Sequence, residues 1–237
     1  MTSQVGGRPA EHYFRESKYW EAWSRVPDMT ADLAYALAAV KGTHRLVLDV
    51  PCGRGRLLKA IAASHPQVSL YGMDINSDMV RKTRDAVPQG RATVASVYAM
   101  PFRDRAFDLV VCHQSFMHFE EPAAALSEVT RVARSDVYVS ITTRRQLNTA
   151  LRYLGLLATS DVPHWTYNVE DLAPMLEATD FDWAVVGAFL IGRKVLRVSE
   201  GTYLKIHHVG GRLLPQWLLR RFGQTLFLYG RRRGPGQ

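Results

Sequence analysis

Short apolar runs alternate with amphipathic stretches over most of the chain. The runs are rich in β-branched and aromatic residues, which predicts buried strands, and the amphipathic stretches have the spacing of helices that bury one face. Such alternation predicts a parallel sheet with right-handed crossovers. The predicted helices are 11–24, 30–41 (ended by Gly42), 54–64, 77–87, 122–133, about 145–158 and 169–179. The predicted strands are 45–50, 68–73, 92–96, 107–112, 137–142, 183–190 and 224–230.

A tight glycine turn joins the first predicted strand to the helix that follows it. The apolar run 46–50 leads into Pro-Cys-Gly-Arg-Gly at 51–55. Glycine lets the backbone come close to a ligand, because a Cβ would block the approach. The N–H groups at the start of a helix favour a carboxylate or a phosphate. The turn therefore predicts a ligand site, although by itself it names no single cofactor.

The second predicted strand ends in an acid, Asp74, nineteen residues after Gly55. In doubly wound α/β folds an acid at this place accepts hydrogen bonds from the ribose hydroxyls of a bound nucleoside. The dinucleotide fingerprint has a third glycine where this chain has Leu58. The chain also lacks the glycine-lysine run that cradles a nucleotide diphosphate. Asp74 thus indicates a nucleoside ligand of another kind.

Two further segments complete the pattern. Residues 95–102 read ASVYAMPF and are followed by RDRAFDLVVCH at 103–113, after which FMHF stands at 116–119 and a helical stretch begins at Pro122. Together with the glycine turn and Asp74, these segments resemble the class I S-adenosylmethionine-dependent methyltransferases. The resemblance covers about 30–190 and is strongest to the methyltransferase type 11 branch, which includes the ubiquinone/menaquinone-biosynthesis C-methyltransferases.

The resemblance implies a fold, a cofactor and a set of cofactor contacts. The fold is α/β and Rossmann-like, a seven-stranded, mostly parallel sheet of order 3-2-1-4-5-7-6 with the last strand antiparallel and helices on both faces. The cofactor is S-adenosyl-L-methionine, bound beyond the carboxyl ends of the strands at the switch point of the sheet. The implied cofactor-binding residues are Asp49, Cys52, Gly53, Gly55, Asp74, Ile75, Ser96, Val97 and His113.

Three features depart from the family pattern. Pro51 replaces a glycine and has no N–H to offer the methionine carboxylate, so Gly53 and the N–H groups after it are expected to donate instead. Ser96 replaces an acid that accepts from the adenine amino group, which predicts adenine binding weaker by about 1 kcal/mol. Residues 133–136 (ARSD) replace the usual Lys-Pro-Gly-Gly turn and lead straight into a strand.

The methyl acceptor is expected on the side where the fourth strand ends. His118 and His113 are the candidate catalytic residues there, since an oxygen or carbon acid benefits from a base. A structural role is the alternative for His118, whereas the alternative for His113 is contact with the cofactor through its backbone. Clusters of aromatic residues in two flanking segments favour a planar or lipid-like acceptor, although an aromatic residue taken alone is more often a packing residue. These residues are His12, Tyr13, Tyr19, Trp20, Trp23, His164, Trp165 and Tyr167.

Several other chemistries are disfavoured. His-Gln-Ser-Phe at 113–116 stands where nitrogen methyltransferases carry an Asn/Asp-Pro-Pro-aromatic run. No carboxylate cluster for magnesium follows the fourth strand. The only cysteines, Cys52 and Cys112, lack the spacing of a metal site or a disulfide framework, and we expect both to be small buried apolar side chains. No metal site is predicted.

Positive charge is concentrated near the end of the chain. Residues 1–186 have a net charge of −1, whereas residues 187–237 carry ten Lys/Arg against the single acid Glu200, a net charge of +9. Leucines and aromatic residues at 213–222 accompany these charges. A solvated helix with a disordered Arg231–Arg233 tail is one interpretation. The others are contact with an anionic membrane surface, an anionic substrate or nucleic acid.

The predicted organisation is an N-terminal helical cap at 1–42 and a methyltransferase domain at 43–237. A basic insertion at about 191–223 precedes the last strand. With no long apolar run and no apolar signal-peptide core, the expected location is cytoplasmic, with peripheral membrane contact as an option. The expected function is methyl transfer to a small-molecule or lipid-like acceptor, with O- or C-methylation favoured. The alternatives are an RNA-directed methyltransferase that uses the basic C-terminus and a catalytically silent cofactor-binding module; nucleic acid is the less favoured partner.

Overall fold

Strands and helices alternate along the chain, as the sequence pattern predicts. A computed structural model describes residue 14 and residues 31–143, 165–167, 169–189 and 225–234. The first elements are α1 (Ala31–Ala38), β1 (Leu46–Asp49), α2 (Arg56–Ser64), β2 (Ser69–Asp74), α3 (Ser77–Ala86) and β3 (Arg91–Val94). They are followed by β4 (Phe107–Cys112), a 3-10 turn (Phe116–His118), α4 (Pro122–Val132), β5 (Ala133–Thr142), α5 (Val169–Glu177), β6 (Phe181–Phe189) and β7 (Thr225–Arg232).

The strands form one seven-stranded sheet in the order β3-β2-β1-β4-β5-β7-β6. The first five strands along the chain pair in parallel, and β7 is antiparallel to both β5 and β6. The predicted strand order and the antiparallel last strand are therefore confirmed. The strand order reverses between β1 and β4, which pair directly, and this switch point is where α/β sheets bind ligands.

Side chains on the two faces of the sheet form two apolar clusters. On one face, α1 and α2 cover alternate residues of the central strands, with Leu33 and Ile61 completely buried. On the other face, α4 and α5 cover the intervening residues, with Val129 and Leu172 buried against the strands. Burial on both faces explains why the central strands are nearly continuous apolar runs.

Several helix boundaries have local causes. Asn76 caps α3, because its side chain accepts the N–H groups of Asp78 and Met79 at 2.9 and 3.1 Å. Pro122 begins α4, where a missing N–H costs nothing. The prediction that Gly42 ends the first described helix is wrong: α1 ends at Ala38, and Gly42 lies in the loop before β1.

The strand β5 begins four residues earlier than predicted, immediately after α4. Residues 133–136 have a polar pattern typical of a turn, but the structure pairs them as strand: Ala133 lies opposite Phe107, and Asp136 lies opposite Leu109 and Arg231. Pairing with strands on both sides overrides the local pattern. The expectation that the chain passes without a turn into this strand is confirmed.

The interpretation of Arg231–Arg233 as a disordered tail is wrong. Arg231 and Arg232 belong to β7, and Arg232 donates to the carbonyls of Thr130 and Ala133 and forms an ion pair with Asp180. Arg233 pairs with Asp182 at 3.1 Å. These side chains hold the edge of the sheet together. The other basic residues of the C-terminal segment lie outside the described residues.

The predicted helices 11–24 (apart from Phe14) and 145–158, the insertion 191–223 and the residue His164 also lie outside the described residues. Among the helices that the structure does describe, none has the length and apolar character needed to span a bilayer.

A polar network closes the amino-terminal end of the sheet. Asp136 accepts hydrogen bonds from His44 Nε2 at 3.1 Å, from the Tyr229 hydroxyl at 2.5 Å and from Lys41 Nζ at 3.3 Å. The backbone N–H of Lys41 donates to the other imidazole nitrogen of His44, Nδ1, at 3.1 Å. Both nitrogens of this buried imidazole therefore have partners.

Candidate cofactor site

The glycine turn after β1 is held in place by backbone and side-chain hydrogen bonds. The N–H of Cys52 donates to the carbonyl of Met73 at 2.8 Å, and the Thr83 hydroxyl donates to the carbonyl of Gly53 at 2.8 Å. Gly53 and Gly55 have φ values of +52° and +77°, in the left-handed region that favours glycine. A Cβ at Gly53 would have no heavy atom within 4 Å, so the space in front of this residue is open to a ligand.

Asp74 ties this turn to the end of β2. Its Oδ2 accepts the N–H of Gly53 and its Oδ1 accepts the N–H of Asn76, both at 2.9 Å. The expectation that the N–H of Gly53 points to a ligand carboxylate is therefore wrong in this structure, since that donor already has a protein acceptor. The N–H of Ile75 is also directed at this carboxylate, so three of its four lone pairs are used at most and a ribose hydroxyl can still donate to it.

Two cavities open at the carboxyl ends of the strands. The first has charged and polar side chains in its wall, among them Asp49 and His113, and it also borders Cys52 and Gly53. The second is mostly apolar and is lined by residues that include Ile75, Val97 and Phe119. The two cavities share four lining residues, namely Pro51, Asp74, Ser115 and His118. The site is thus a polar arm and an apolar arm that meet at Asp74.

The two buried acids of this site have raised pKa values. Burial raises the pKa of Asp74 to about 6, although the N–H donors of Asn76, Gly53 and Ile75 oppose the rise. Burial also raises the pKa of Asp49 well above its usual value; the charge of Asp74 adds to the rise and Arg56 opposes it. Among the described residues, neither carboxylate forms an ion pair that would offset its desolvation, so ligand groups that donate hydrogen bonds would stabilise both.

The segment after β4 borders both arms of the site. Gln114 has a φ of +51°, unusual for a residue with a side chain, and its N–H donates to the hydroxyl of Ser140 at 2.5 Å. The Ser115 hydroxyl donates to the carbonyl of His113 at 3.0 Å. The ring of His118 lies 4.9 Å from the ring of Phe14. This tightly bonded segment brings the predicted residue His118 to the junction of the two cavities.

His113 lies at the end of β4 and contacts helix α1. Its Nε2 is 3.1 Å from Oδ2 of Asp32. Among the described residues, no group lies within hydrogen-bond distance of the other ring nitrogen, Nδ1, which is buried. The structure therefore gives the predicted site residue His113 one partner and leaves its second nitrogen without one.

Two predicted residues do not line either cavity. Gly55 faces away, and a Cβ there would lie 3.1 Å from the Thr83 hydroxyl, so this glycine serves the turn and helix packing. Ser96 lies between two lining residues, Ala95 and Val97, and its hydroxyl accepts the N–H of Tyr98 at 3.1 Å. The structure brings the other predicted cofactor-binding residues together around the two arms.

The cysteines are buried, as expected for small apolar side chains. Cys52 Sγ lies 3.5 Å from the Thr83 hydroxyl, and burial raises the pKa of Cys52 well above its usual value. Cys112 is enclosed in the sheet at the end of β4, and burial raises its pKa in the same direction. Neither thiol is activated as a nucleophile in this environment.

Sequence reasoning missed several residues of the site. Arg54, Arg56 and Lys82 line the polar arm and give it cationic walls. Asp32 and Phe14 come from the N-terminal region, far along the chain from their contacts. The two arginines stand within or beside the glycine turn, so their position was a usable signal. No local pattern marks Asp32, which is 81 residues from His113.

Comparisons with known proteins identify the core of the chain. Residues 48–141 match the family described as "Methyltransferase domain". This part of the chain is a methyltransferase domain. The predicted resemblance to class I methyltransferases of the type 11 branch is confirmed.

Relatives of this methyltransferase domain carry related names. An O-methyltransferase from Pyrenophora dematioidea is 32% identical over 52% of this chain and 50% of its own length. A demethylmenaquinone methyltransferase from Thermotoga maritima is 27% identical over 55% of this chain and 60% of its own. The chain spans about half the length of the first curated relatives that it matches.

The fold of the methyltransferase domain extends over most of the chain. The magnesium protoporphyrin IX methyltransferase from Synechocystis, solved with bound S-adenosylhomocysteine, aligns with a TM-score of 0.65 at 19% identity. The alignment covers 94% of this chain and 98% of that structure. At this identity the likeness supports the fold.

Proposed function

We propose that the protein transfers the methyl group of S-adenosylmethionine to a small-molecule or lipid-like acceptor. The observation that carries this proposal is the pair of cavities that meet at Asp74, inside a methyltransferase domain and at the switch point of its sheet. The polar arm suits an amino-acid moiety, because it combines buried carboxylates with cationic side chains. The apolar arm suits a flat heterocycle, because aliphatic and aromatic side chains line it.

The residues present fit this cofactor. Asp74 would accept a hydrogen bond from the ribose at the junction, where its carboxylate keeps acceptor capacity. The adenine would lie in the apolar arm beside Ile75 and Val97. The amino-acid moiety would pass in front of Gly53, where the missing Cβ leaves room, with Asp49 facing its ammonium and Arg54 its carboxylate.

The cofactor supplies an activated electrophile when bound, since its methyl group sits on a positively charged sulfur. The protein then has mainly to position the acceptor in line with the sulfur–methyl bond. Positioning of this kind contributes up to about 7–11 kcal/mol in well-oriented reactions. Residues at the end of β4, His113 and His118, border the place where the acceptor would lie.

We infer O- or C-methylation rather than N-methylation. The segment His113–Phe116 lacks the Asn/Asp-Pro-Pro-aromatic run that holds the amine in nitrogen methyltransferases. The name of the fungal relative, an O-methyltransferase, supports the same class of acceptor. The residues Trp165 and Tyr167 contact the segment after β4: the N–H of Trp165 donates to the carbonyl of Met117 at 2.7 Å, and the Tyr167 hydroxyl donates to the carbonyl of Phe119 at 3.1 Å.

A glycine substitution tests where the cofactor lies. Gly53→Ala should weaken binding of S-adenosylhomocysteine at least about tenfold, because the new Cβ enters the open space in front of the turn. The left-handed φ adds about 1–2 kcal/mol of strain to the folded state. Calorimetry measures the affinity, and Gly42→Ala is the matched control, since it also adds a Cβ in open space but away from both cavities. Equal affinities of both variants would contradict the proposed placement.

Labelled methyl transfer tests the reaction. The protein should transfer a labelled methyl group from S-adenosylmethionine to an acceptor in a cell extract, detected by mass spectrometry of small molecules and lipids. Binding of the cofactor without any labelled product would favour a silent cofactor-binding module. Label recovered in RNA, with RNA affinity that falls steeply with salt, would favour the RNA-directed alternative.

A further inference from the structure

Within the described residues, two histidine–aspartate pairs of the same length lie at opposite ends of the sheet. His44 and Asp136 lie 3.1 Å apart at the amino end, and His113 and Asp32 lie 3.1 Å apart at the carboxyl end. Both histidines are almost fully buried, with His44 3% and His113 9% exposed in their side chains. The pairs differ in what surrounds the second ring nitrogen.

His44 is completely satisfied. Its Nδ1 accepts the backbone N–H of Lys41, and its Nε2 donates to Asp136. This histidine therefore has no nitrogen left for chemistry, and its pair serves the fold.

His113 has a nitrogen left over. An ionised carboxylate only accepts hydrogen bonds, so Asp32 requires the proton of a neutral imidazole to sit on Nε2. In this tautomer Nδ1 carries a lone pair, and no described group donates to it. His113 also lines the polar arm of the cofactor site, beside Gln114 and Ser115.

A second buried polar atom lies in the same region. Among the described residues, nothing forms a hydrogen bond with the hydroxyl of Tyr138, which is completely buried. The rings of Tyr138 and His113 have centroids 6.2 Å apart. The charge of Asp32 also contributes to the raised pKa of Tyr138, after burial, which places that hydroxyl within electrostatic range of the pair. Two buried polar atoms without partners are rare in a folded core. They indicate that a ligand group or a proton binds at this end of β4 and β5.

We propose that Asp32 is a positioning residue that fixes His113 in the Nε2–H tautomer, so that His113 Nδ1 takes a proton from the methyl acceptor. The inference rests on the proposed function, and it names a residue of helix α1 as part of the reaction. It also predicts that the acceptor loses a proton on methylation, as an O–H or an acidic C–H group does.

The step balances in atoms and charge. His113 Nδ1 removes the proton of the acceptor, and the electron pair of that bond forms the new bond to the methyl carbon. The electrons of the sulfur–methyl bond stay on sulfur, which becomes a neutral thioether. The positive charge lost from sulfur reappears on the imidazolium of His113, where the Asp32 carboxylate stabilises it.

Nitrogen-15 NMR of the imidazole rings tests the tautomer in the protein without cofactor or acceptor. His113→Gln assigns the signals, and His44 is an internal reference, because its contacts also impose Nε2–H. We expect the same tautomer for His113, and we expect Asp32→Asn to remove this single-tautomer signature, since an amide can donate or accept. An Nδ1–H signature for His113 in the wild-type protein would overturn the proposal.

Kinetics with the identified acceptor test the role. Asp32→Asn should lower kcat about 100-fold, as expected for loss of general-base catalysis, with KM changed less than about threefold. Because Asp32 acts through His113, the double variant Asp32→Asn/His113→Gln should be no slower than His113→Gln alone. Losses that multiply in the double variant would overturn the proposal, and so would an unchanged kcat for Asp32→Asn.

A matched control separates this role from loss of a structural ion pair. Asp136→Asn disturbs the other histidine–aspartate pair of the same length, and it should lower stability while leaving kcat of the folded protein unchanged. Calorimetry with S-adenosylhomocysteine is run on each variant. A wild-type protein that fails to bind this ligand contradicts the proposed function itself, whereas normal binding with an unaffected kcat in Asp32→Asn contradicts only the inference about Asp32.

Discussion

Carboxylates are equally buried at the two ends of the sheet, but their pKa values are shifted in opposite directions. Asp136, at the amino end, is 4% exposed, and Asp49 and Asp74, at the carboxyl end, are 3% and 1% exposed. Burial alone would raise the pKa of all three. At Asp136 the hydrogen bonds from His44, Tyr229 and Ser135 and the charge of Lys41 outweigh burial and lower the pKa. At Asp49 and Asp74 burial prevails.

This difference separates a structural network from a binding site. A buried carboxylate whose hydrogen-bond capacity is filled by the protein stabilises the fold in the ionised form. A carboxylate that stays desolvated with spare lone pairs destabilises the ligand-free fold and gains when a ligand donates to it. The same contrast applies to the histidines at the two ends, and to the hydroxyls of Tyr229, which has a partner, and Tyr138, which has none among the described residues. Unsatisfied polar groups thus accumulate where the ligand is proposed to bind.

The largest expected effect is at the amino end. Asp136→Ala should lower the free energy of unfolding by about 3–5 kcal/mol, because His44 and the Tyr229 hydroxyl lose a shared buried acceptor. Urea unfolding measures the change. Asp182→Ala is the control, since its pair with Arg233 is largely exposed and such pairs contribute only about 0–1 kcal/mol. A loss no larger than that of the control would show that the amino-end network is not structural.

The next effect concerns pH and the carboxyl end. The pKa of Asp74 is about 6 in the fold against 3.8 for an unperturbed carboxyl. The folded state therefore binds more protons than the unfolded state between these values, and stability falls as pH rises from about 4 to 6. The shift corresponds to about 3 kcal/mol. Asp136 works in the other direction, because its lowered pKa makes its contribution disappear as pH falls.

Urea unfolding of the wild type and of Asp74→Asn is measured across pH 4–7.5 without cofactor. The difference between their free energies of unfolding, followed as a function of pH, isolates the contribution of Asp74. Calorimetry should also show that S-adenosylhomocysteine binds the wild type less tightly as pH falls through about 6, because ribose hydroxyls prefer the ionised carboxylate. A difference between the two proteins that does not vary with pH would mean that Asp74 titrates near its ordinary value.

The sequence predicts a structural feature well when the residues that determine the feature are neighbours in the chain. The strand 107–112 is predicted residue for residue, because its apolar run 109–112 is short, rich in valine and followed by the polar residue His113. Gly53 and Asp74 are also found from local patterns, a turn and a strand tip. The early start of β5 and the contacts of the partly buried Arg232 are missed, since they join residues far apart in the chain: Arg232 of β7 donates to the carbonyl of Ala133, 99 residues away. Asp32 is missed for the same reason.

Two tyrosines allow the same comparison between a hydroxyl group that has a hydrogen-bond partner and one that has none. Tyr138 and Tyr229 lie opposite each other on β5 and β7. Tyr229→Phe removes a hydrogen bond to a charged acceptor and should lower the free energy of unfolding by about 1.5–3 kcal/mol. Tyr138→Phe removes a buried hydroxyl that has no partner among the described residues, so stability should stay the same or rise. Thermal unfolding of both variants measures the contrast, and a larger loss for Tyr138→Phe would contradict it.

The smallest expected effect tests the apolar arm. The family resemblance predicts that Ser96 stands in place of the acid that binds the adenine amino group, and the Ser96 hydroxyl accepts the N–H of Tyr98 at 3.1 Å. An aspartate can accept the same N–H, so Ser96→Asp keeps the local turn. It also offers a charged oxygen to the adenine amino group, which should tighten S-adenosylhomocysteine binding by about 1 kcal/mol, or roughly fivefold. Calorimetry at pH 7.5 measures the affinity, with Ser96→Asn as the control that has the same shape without the charge. Weaker binding to Ser96→Asp, in a protein that melts like the wild type, would mean that the adenine does not lie beside Val97.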